Sequence, residues 1–205
     1  MAVERYLPQG GVLSASAFHR RVQNLIRNVT AFDTTSQRWL SSPQNISEAV
    51  TEGLELEAKF RLDQWIADAP HIDLRNNVSF YRSRALSVLG PDNRLDQQPN
   101  MNANLGADYR LASLPLTLGG NLSYNPGYNT RMSAEQLVTV SQKRILDLYG
   151  LWRLDANTAW RLTLSNLDPR NYNTGSIYNG GGVLENSNTQ NKTWTNVQVL
   201  LEKKL

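Results

Sequence analysis

The chain has 205 residues with 21 Lys and Arg against 18 Asp and Glu, a net charge of +3, and no Cys. Mean hydropathy is -0.47, and no window approaches the ~18 consecutive apolar residues of a transmembrane helix, which excludes a helical membrane protein but not a β-barrel. Basic clusters no longer than His19-Arg20-Arg21 and Lys203-Lys204 exclude nucleic acid as a partner, and the absence of Cys removes disulfides, thiol catalysis and Cys-based metal sites.

Alternation of apolar and polar residues predicts about nine antiparallel strands. The N-terminus, Met1-Ala2-Val3-Glu4-Arg5-Tyr6, has no basic segment followed by an apolar one, so no signal peptide is expected in this stretch. A stub at Val3–Leu7 comes first, then Val12–Thr30, whose phase breaks at Val12-Leu13 and between Arg21 and Ile26. Within Arg38–Asp63, Leu54, Leu56, Ala58, Phe60 and Leu62 share one face, and Glu55, Glu57, Lys59, Arg61 and Asp63 the other. A strand separates these two sets, whereas a helix would scatter both around its circumference. The pattern repeats in His71–Val88, Asn100–Ala112, Leu114–Pro126, Glu135–Leu154, Thr158–Arg170 and Lys192–Leu205.

Several of these runs last ~9 residues or more, the length a tilted strand needs to cross a bilayer, against about five or six in an ordinary soluble sheet. Short turns are expected at Pro8-Gln9-Gly10, Ala112-Ser113 and Asp155-Ala156-Asn157, with a longer one from Gln64 to Pro70. They alternate with longer polar links, Ala31 to Gln37, Leu89 to Pro99, Gly127 to Ala134 and Asn171 to Asn191. That is the asymmetry of bacterial barrels, with short periplasmic turns and long extracellular loops. Tyr109, Trp152 and Trp160 fall on outward positions near short turns, where an interfacial girdle belongs. Single-chain barrels normally have an even strand number, so an odd count points to a piece of a larger barrel.

Four stretches resemble the C-terminal barrel of TonB-dependent outer-membrane receptors. These are "GGVLSASAFHRRVQNLIRNV", "AVTEGLELEAKFRL" with Gly53, Leu54, Glu55 and Glu57, "NLGADYRL…LPLTLGGNLSYNPG", and "WRLTLSNLDPRNY". The last is similar to the family's Asn-Leu-Phe-Asp-x-x-Tyr signature, matched by Asn166, Leu167, Asp168 and Tyr172, with the Phe absent and Pro169 after the Asp. The matches run in family order over nearly the whole chain. The resemblance implies an all-β fold, an open antiparallel up-and-down segment of a 22-stranded transmembrane barrel in the bacterial outer membrane. It further implies energy-driven uptake of a scarce ligand such as an iron–siderophore complex, cobalamin or an oligosaccharide. The implied partners are outer-membrane lipid, the N-terminal barrel strands and plug of the same receptor, and the TonB complex acting through that plug. No plug is recognisable in residues 1–205, so this chain by itself is not expected to transport. Leu205 stands where such barrels commonly end in an aromatic, the nearest upstream aromatic being Trp194.

No enzyme, metal or cofactor is expected. His19 and His71 are far apart, with Asp73 beside His71 but no third ligand. Glu55 and Glu57 share a face with Lys59 and Arg61, which predicts a neutralised lumen-wall ladder rather than a catalytic carboxylate pair. Asp92, Asn93 and Asp96 lack the spacing of a Ca²⁺ loop. "YNGGGVLENSN" at Tyr178 to Asn188 reads as a flexible loop, with no Lys for phosphate. Two other classes meet the same alternation: a self-contained pore of roughly eight or ten strands, and a soluble β-rich binding domain.

Overall fold

The computed structural model describes residues 1–7 and 10–204; the expected turn at Pro8-Gln9-Gly10 falls partly outside them. The described residues contain fifteen strands: β1 (Ala2–Tyr6), β2 (Val12–Gln23), β3 (Ile26–Asp33), β4 (Arg38–Asn45), β5 (Glu48–Arg61), β6 (Ile72–Ala85), β7 (Met101–Arg110), β8 (Leu116–Asn125), β9 (Tyr128–Arg131), β10 (Gln136–Val140), β11 (Lys143–Arg153), β12 (Thr158–Ser165), β13 (Tyr172–Gly180), β14 (Val183–Asn191) and β15 (Asn196–Lys203). Nine of them form one antiparallel sheet, the wall, in the order β1-β2-β5-β6-β7-β8-β11-β12-β15. The other six build hairpins: β3–β4, and a four-stranded sheet β14-β13-β10-β9.

The wall has the nine strands expected, and its register explains why alternation was so clear. Leu54 pairs with Ala17 and Phe80, Leu105 with Asn76 and Leu122, Leu122 with Leu146, and Leu162 with Gly150 and Val199. Residues paired across antiparallel strands point to the same face, so one side is predominantly apolar from Val3 to Leu201, with Asn76 a polar residue within it. Its large side chains are left open: Leu54, Leu105, Leu118, Leu148 and Leu162 are all exposed. The opposite side carries Glu55, Glu57, Arg75, Asn104, Asp108, Asn121, Tyr149, Arg161 and Gln198. β5 and β6 run 14 residues each, beyond the about 9–11 a tilted strand needs to span the hydrocarbon.

All connections of one kind lie at one end. Short turns join β5 to β6, β7 to β8 and β11 to β12, and five residues separate β1 from β2; long insertions join β2 to β5, β6 to β7, β8 to β11 and β12 to β15. The apolar aromatics near the short-turn end are Phe60, Tyr109, Trp152 and its direct cross-strand partner Trp160. Phe60 meets Trp65 of the turn edge-on at 5.9 Å. β1 and β15 form the two edges of the wall and do not pair with each other, so the sheet is open.

Three expected strands prove to be two each. Val12–Thr30 divides into β2 and β3, Arg38–Asp63 into β4 and β5, and Glu135–Leu154 into β10 and β11. At the first break Asn24 adopts φ +55°, and at the second Ser47 adopts φ +68° with its N–H on Asn45 Oδ1 at 2.8 Å. These residues swing the chain out of the wall without Gly or Pro to announce it. The links expected at Gly127 to Ala134 and Asn171 to Asn191 contain β9, β13 and β14, so "YNGGGVLENSN" is not a flexible loop but part of a hairpin. Leu89 to Pro99 is irregular, as expected.

Candidate functional site

The long-loop end carries the chain's packed interior. Ala49 and Ala85, cross-strand partners in β5 and β6, are fully buried. Ile46, Ala85 and Val88 form a small apolar cluster with Leu25 and Val29. Over it the hairpins and the 86–100 loop fold into a cap.

Arg27 of β3 ties the cap together. It is 3% exposed, and its guanidinium donates to the carbonyls of Arg94 at 2.8 Å and Arg131 at 3.2 Å, while pairing with Asp96. One buried side chain thereby joins the β3–β4 hairpin, the 86–100 loop and the β9–β10 hairpin. Glu135 makes a second junction: its carboxylate accepts the Phe32 N–H at 2.7 Å and its carbonyl accepts the Asn179 N–H at 2.8 Å. At the tip of the first hairpin, the Asp33 carboxylate accepts the Ser36 hydroxyl at 2.6 Å and the Thr35 N–H at 3.1 Å. The Ser36 hydroxyl, then the backbone N–H groups of Thr35 and Ser36, hold its pKa below the usual carboxylate range.

Hollows lie in and under this cap, and two of them are lined by aromatic and polar side chains. The first, of 520 Å³, separates one face of β3–β4, bearing Thr30, Trp39 and Ser41, from a row on the four-stranded sheet formed by Gln136, Tyr178 and Glu185. Trp39 packs against Phe32 at 5.1 Å and Tyr178 at 5.2 Å. The second, of 700 Å³, is lined by Asn102, Tyr128, Lys143 and Tyr172 at the top of the polar face. Lys143 Nζ stands 5.0 Å from the centre of the Tyr172 ring. Burial raises the Tyr128 pKa, and nearby Arg94 opposes that shift.

Below the cap the polar face is cross-linked. Asp108 pairs with Arg75 and accepts the Tyr149 hydroxyl at 2.6 Å; Arg161 sits 5.3 Å from the Tyr149 ring centre and bonds Glu202 at 2.6 Å. Gly119 lies directly beneath Tyr149, where a Cβ would approach the ring to 2.1 Å. That glycine is what lets Tyr149 lie across β8 to reach Asp108.

The motif residues singled out in the sequence fall in two places. Gly53 is flanked on the polar face by its partners Phe18 and Tyr81. A Cβ there would meet the Phe18 ring at 2.7 Å and the Phe80 carbonyl at 2.9 Å, so the strand crossing requires glycine. Glu55 accepts the Tyr81 hydroxyl at 3.3 Å, and Glu57 lies opposite Ser14 and Asn77. Arg61 bonds Asp63 at 2.6 Å; the ion pairs Arg75–Asp108, Arg110–Asp73 and Arg161–Glu202 of this wall run between strands. Asn166, Leu167, Asp168 and Tyr172 mark the exit from β12. Asn166 adopts φ +54°; its N–H donates to Asp147 at 2.8 Å, and its side-chain amide to the Trp194 carbonyl at 3.1 Å. Leu167 N–H bonds the Leu146 carbonyl at 2.7 Å, and Asp168 pairs with Arg144 and Arg170. This constellation is a junction that turns the chain from wall to hairpin, and Tyr172 lines the second hollow.

Asp92, Asn93 and Asp96 are spent on structure. Asp96 pairs with Arg27, and the Asn93 amide donates to the Val88 carbonyl at 2.8 Å. His19 faces Glu52 at 3.6 Å and His71 faces Asp63 at 3.7 Å. Arg27, Trp39, Glu135 and Gln136, which organise the cap, carry no motif, and their partners lie up to 105 positions away. Only the interruption of phase between Arg21 and Ile26 hinted that the chain leaves the wall there.

An open antiparallel sheet with one continuous apolar face, a charged opposite face and all long loops at one end defines the wall of an outer-membrane-type β-barrel. A family model for the TonB dependent receptor-like β-barrel matches residues 2–196. The chain belongs to that family, whose members are transport receptors. No curated protein and no solved structure matches it.

Proposed function

We propose that residues 1–205 are the C-terminal portion of the barrel of an outer-membrane transporter, serving active, TonB-driven uptake of a scarce small ligand of the iron–siderophore kind. The observation that carries the wall assignment is the apolar face held in register through nine strands. In water that surface would drive aggregation; against lipid it is the required exterior. The edges β1 and β15 each present unpaired backbone groups, which hydrocarbon does not tolerate. The remainder of the receptor is the natural partner for them. With the short turns in the periplasm, the cap faces outward and the polar face lines the lumen. Gly53, Glu55, Glu57, Asn166, Leu167, Asp168 and Tyr172 then serve as wall and junction builders, while ligand contact falls to the cap. Transport itself calls on the receptor's plug and the TonB complex.

The test is uptake of a labelled ferric siderophore by cells with and without the gene. Uptake should disappear on disruption, and a protonophore should abolish it in intact cells. Undiminished uptake after disruption, or gene-dependent uptake that ignores the protonophore, overturns the reading. The second outcome would describe a passive pore.

A further inference from the structure

We infer that Arg21, Arg82 and Arg84, on the outward face of the wall just beyond its apolar belt, hold the phosphate of a lipid in the outer leaflet. This rests on the reading of the chain as an outer-membrane wall with its cap outward, and adds the headgroup chemistry and the residues that take it.

Register settles which face carries them. Arg82 and Arg84 alternate along β6 with Tyr81 and Ser83, which point to the lumen and the cap: the Tyr81 hydroxyl bonds Glu55, and Ser83 Oγ accepts the Leu95 N–H at 2.9 Å. Arg82 is therefore on the same side as Phe80, which pairs with Leu54 of the apolar belt. Their height follows from strand geometry. Arg82 stands ten residues along β6 from Ile72, whose cross-strand partner is the girdle residue Tyr109. At about 3.3 Å per residue and a tilt of about 40°, that is about 25 Å of membrane depth, the height of the apolar band of such barrels. Arg82 and Arg84 thus leave the hydrocarbon where headgroup phosphates begin.

Across β2, β5 and β6 one outward row reads His19, Glu52, Arg82, and the next reads Arg21, Val50, Arg84. In the first, His19 faces Glu52 at 3.6 Å. In the second, Arg21 donates Nε and Nη2 to Glu48 Oε2 at 3.0 and 2.7 Å. That leaves its other terminal nitrogen toward the patch. Arg82 and Arg84 are exposed and, among the described residues, have no hydrogen bond or ion pair. Like charges about 6.6 Å apart on one strand face repel unless an anion sits between them. The three arginines outnumber Glu48 and Glu52, and Val50 puts no carboxylate beside Arg84. A guanidinium fork takes phosphate through two parallel hydrogen bonds. Directly below, exposed Phe80 and Leu54 meet the acyl chain of the same molecule. Dissolved phosphate gains nothing from them, so the site selects a lipid.

The experiment measures the association of spin-labelled lipids with the full chain in phosphatidylcholine vesicles, comparing phosphatidic acid with phosphatidylcholine itself. Phosphatidic acid should be preferred, with Arg82 and Arg84 each contributing about a fivefold preference, the effect of one arginine near an anionic lipid surface. Arg82→Gln with Arg84→Gln should remove most of that preference. Arg82→Lys with Arg84→Lys keeps the charge and should keep part of it. Arg20→Gln, which removes the same charge from the lumen side of β2, should leave it intact, and excess inorganic phosphate should not displace the lipid. No preference for phosphatidic acid overturns the inference. So does a preference that survives the double Gln variant, falls equally with Arg20→Gln, or yields to inorganic phosphate. A loss that the Lys pair does not relieve overturns it too, since charge would then not be its cause. Insertion is read in the same samples from heat-modifiable migration. Insertion without lipid preference sinks this inference and leaves the wall reading standing; failure to insert removes the wall reading, and this inference with it.

Discussion

Leu162 in the middle of the wall and Arg27 in the cap reverse the usual placement of apolar and charged residues. Leu162 is 45% exposed on the apolar face, whereas Arg27 is 3% exposed and ties its own hairpin to two other loops. The wall leaves its apolar side chains outside because its solvent on that face is hydrocarbon, and its cohesion within the chain is chiefly the backbone ladder. The cap meets water, so it closes by the rules of a soluble protein, with buried alanines, a small apolar cluster and a buried arginine bonded to backbone carbonyls. Two solvents thus act on one chain, and the change from one to the other falls near Asn24, Ser47 and Asn166, all with positive φ.

The sharpest way to break that comparison is to put charge on the lipid side. Leu162→Arg should destabilise the vesicle-inserted barrel by about 2–4 kcal/mol, the cost of Arg near the bilayer midplane. Its neighbour Thr163→Arg, on the lumen side, should stay within about 0.5 kcal/mol. Guanidinium unfolding from phospholipid vesicles reads both; equal effects would mean that the two faces do not meet different solvents.

In the cap the largest effect should come from Arg27→Met, which strands the carbonyls of Arg94 and Arg131 and leaves Asp96 without its partner. A loss of about 2–3 kcal/mol is expected, felt locally rather than globally. Hydrogen exchange should rise in residues 86–100 and 126–142 while the amides of β7 and β8 keep their protection. Wall and cap loosening together would show that they unfold as one unit.

The same division governs what could be read from sequence. Alternation revealed the nine wall strands because register and lipid impose period two on every one, and a one-residue slip would invert both faces. The fate of Val12–Thr30, Arg38–Asp63 and Glu135–Leu154 was hidden because each continues from wall into cap within about two residues. β14, "VLENSNTQN", was unreadable for another reason. Its polar sequence has little strand preference of its own, and it is a strand because β13 pairs with it throughout. Arg27 and Gln136 gave no local signal, since their partners are set by which loops meet in space. Asn166, Asp168 and Tyr172 were found through the family pattern, yet their role as a junction needed the coordinates: Asp147 and Trp194 are what Asn166 holds.

That junction allows a smaller test. Asn166→Ala forces an ordinary residue into the left-handed region and removes the bond to the Trp194 carbonyl, for an expected loss of about 1–2 kcal/mol. Asn166→Gly keeps the backbone at ease and loses only the side-chain bond, so it should cost less than about 1 kcal/mol. Protease cutting within residues 172–191 across a urea series measures both. Equal losses would move the importance of Asn166 from its φ to its amide.

The smallest expected effect is of pH and salt on the same junction. Hydrogen bonding with Arg170 and then Arg144 holds the Asp168 pKa below its usual value. A lowered folded pKa means that the contribution is complete above the unfolded value, about 3.9, and fades as pH falls through the folded value. Exchange of the amides around residues 166–171 should therefore accelerate, relative to Asp168→Asn, only as pH drops below about 4. Asp155, in the short turn at the opposite end, has its pKa lowered mainly by the backbone N–H of Asn157 and the side chain of Thr158 rather than by a cation. Raising salt should shrink the Asp168 effect, because its partners are solvent-exposed charges, and leave that of Asp155 nearly unchanged. Matching salt responses would show that arginine pairing is not what distinguishes the cap junction from the short turn.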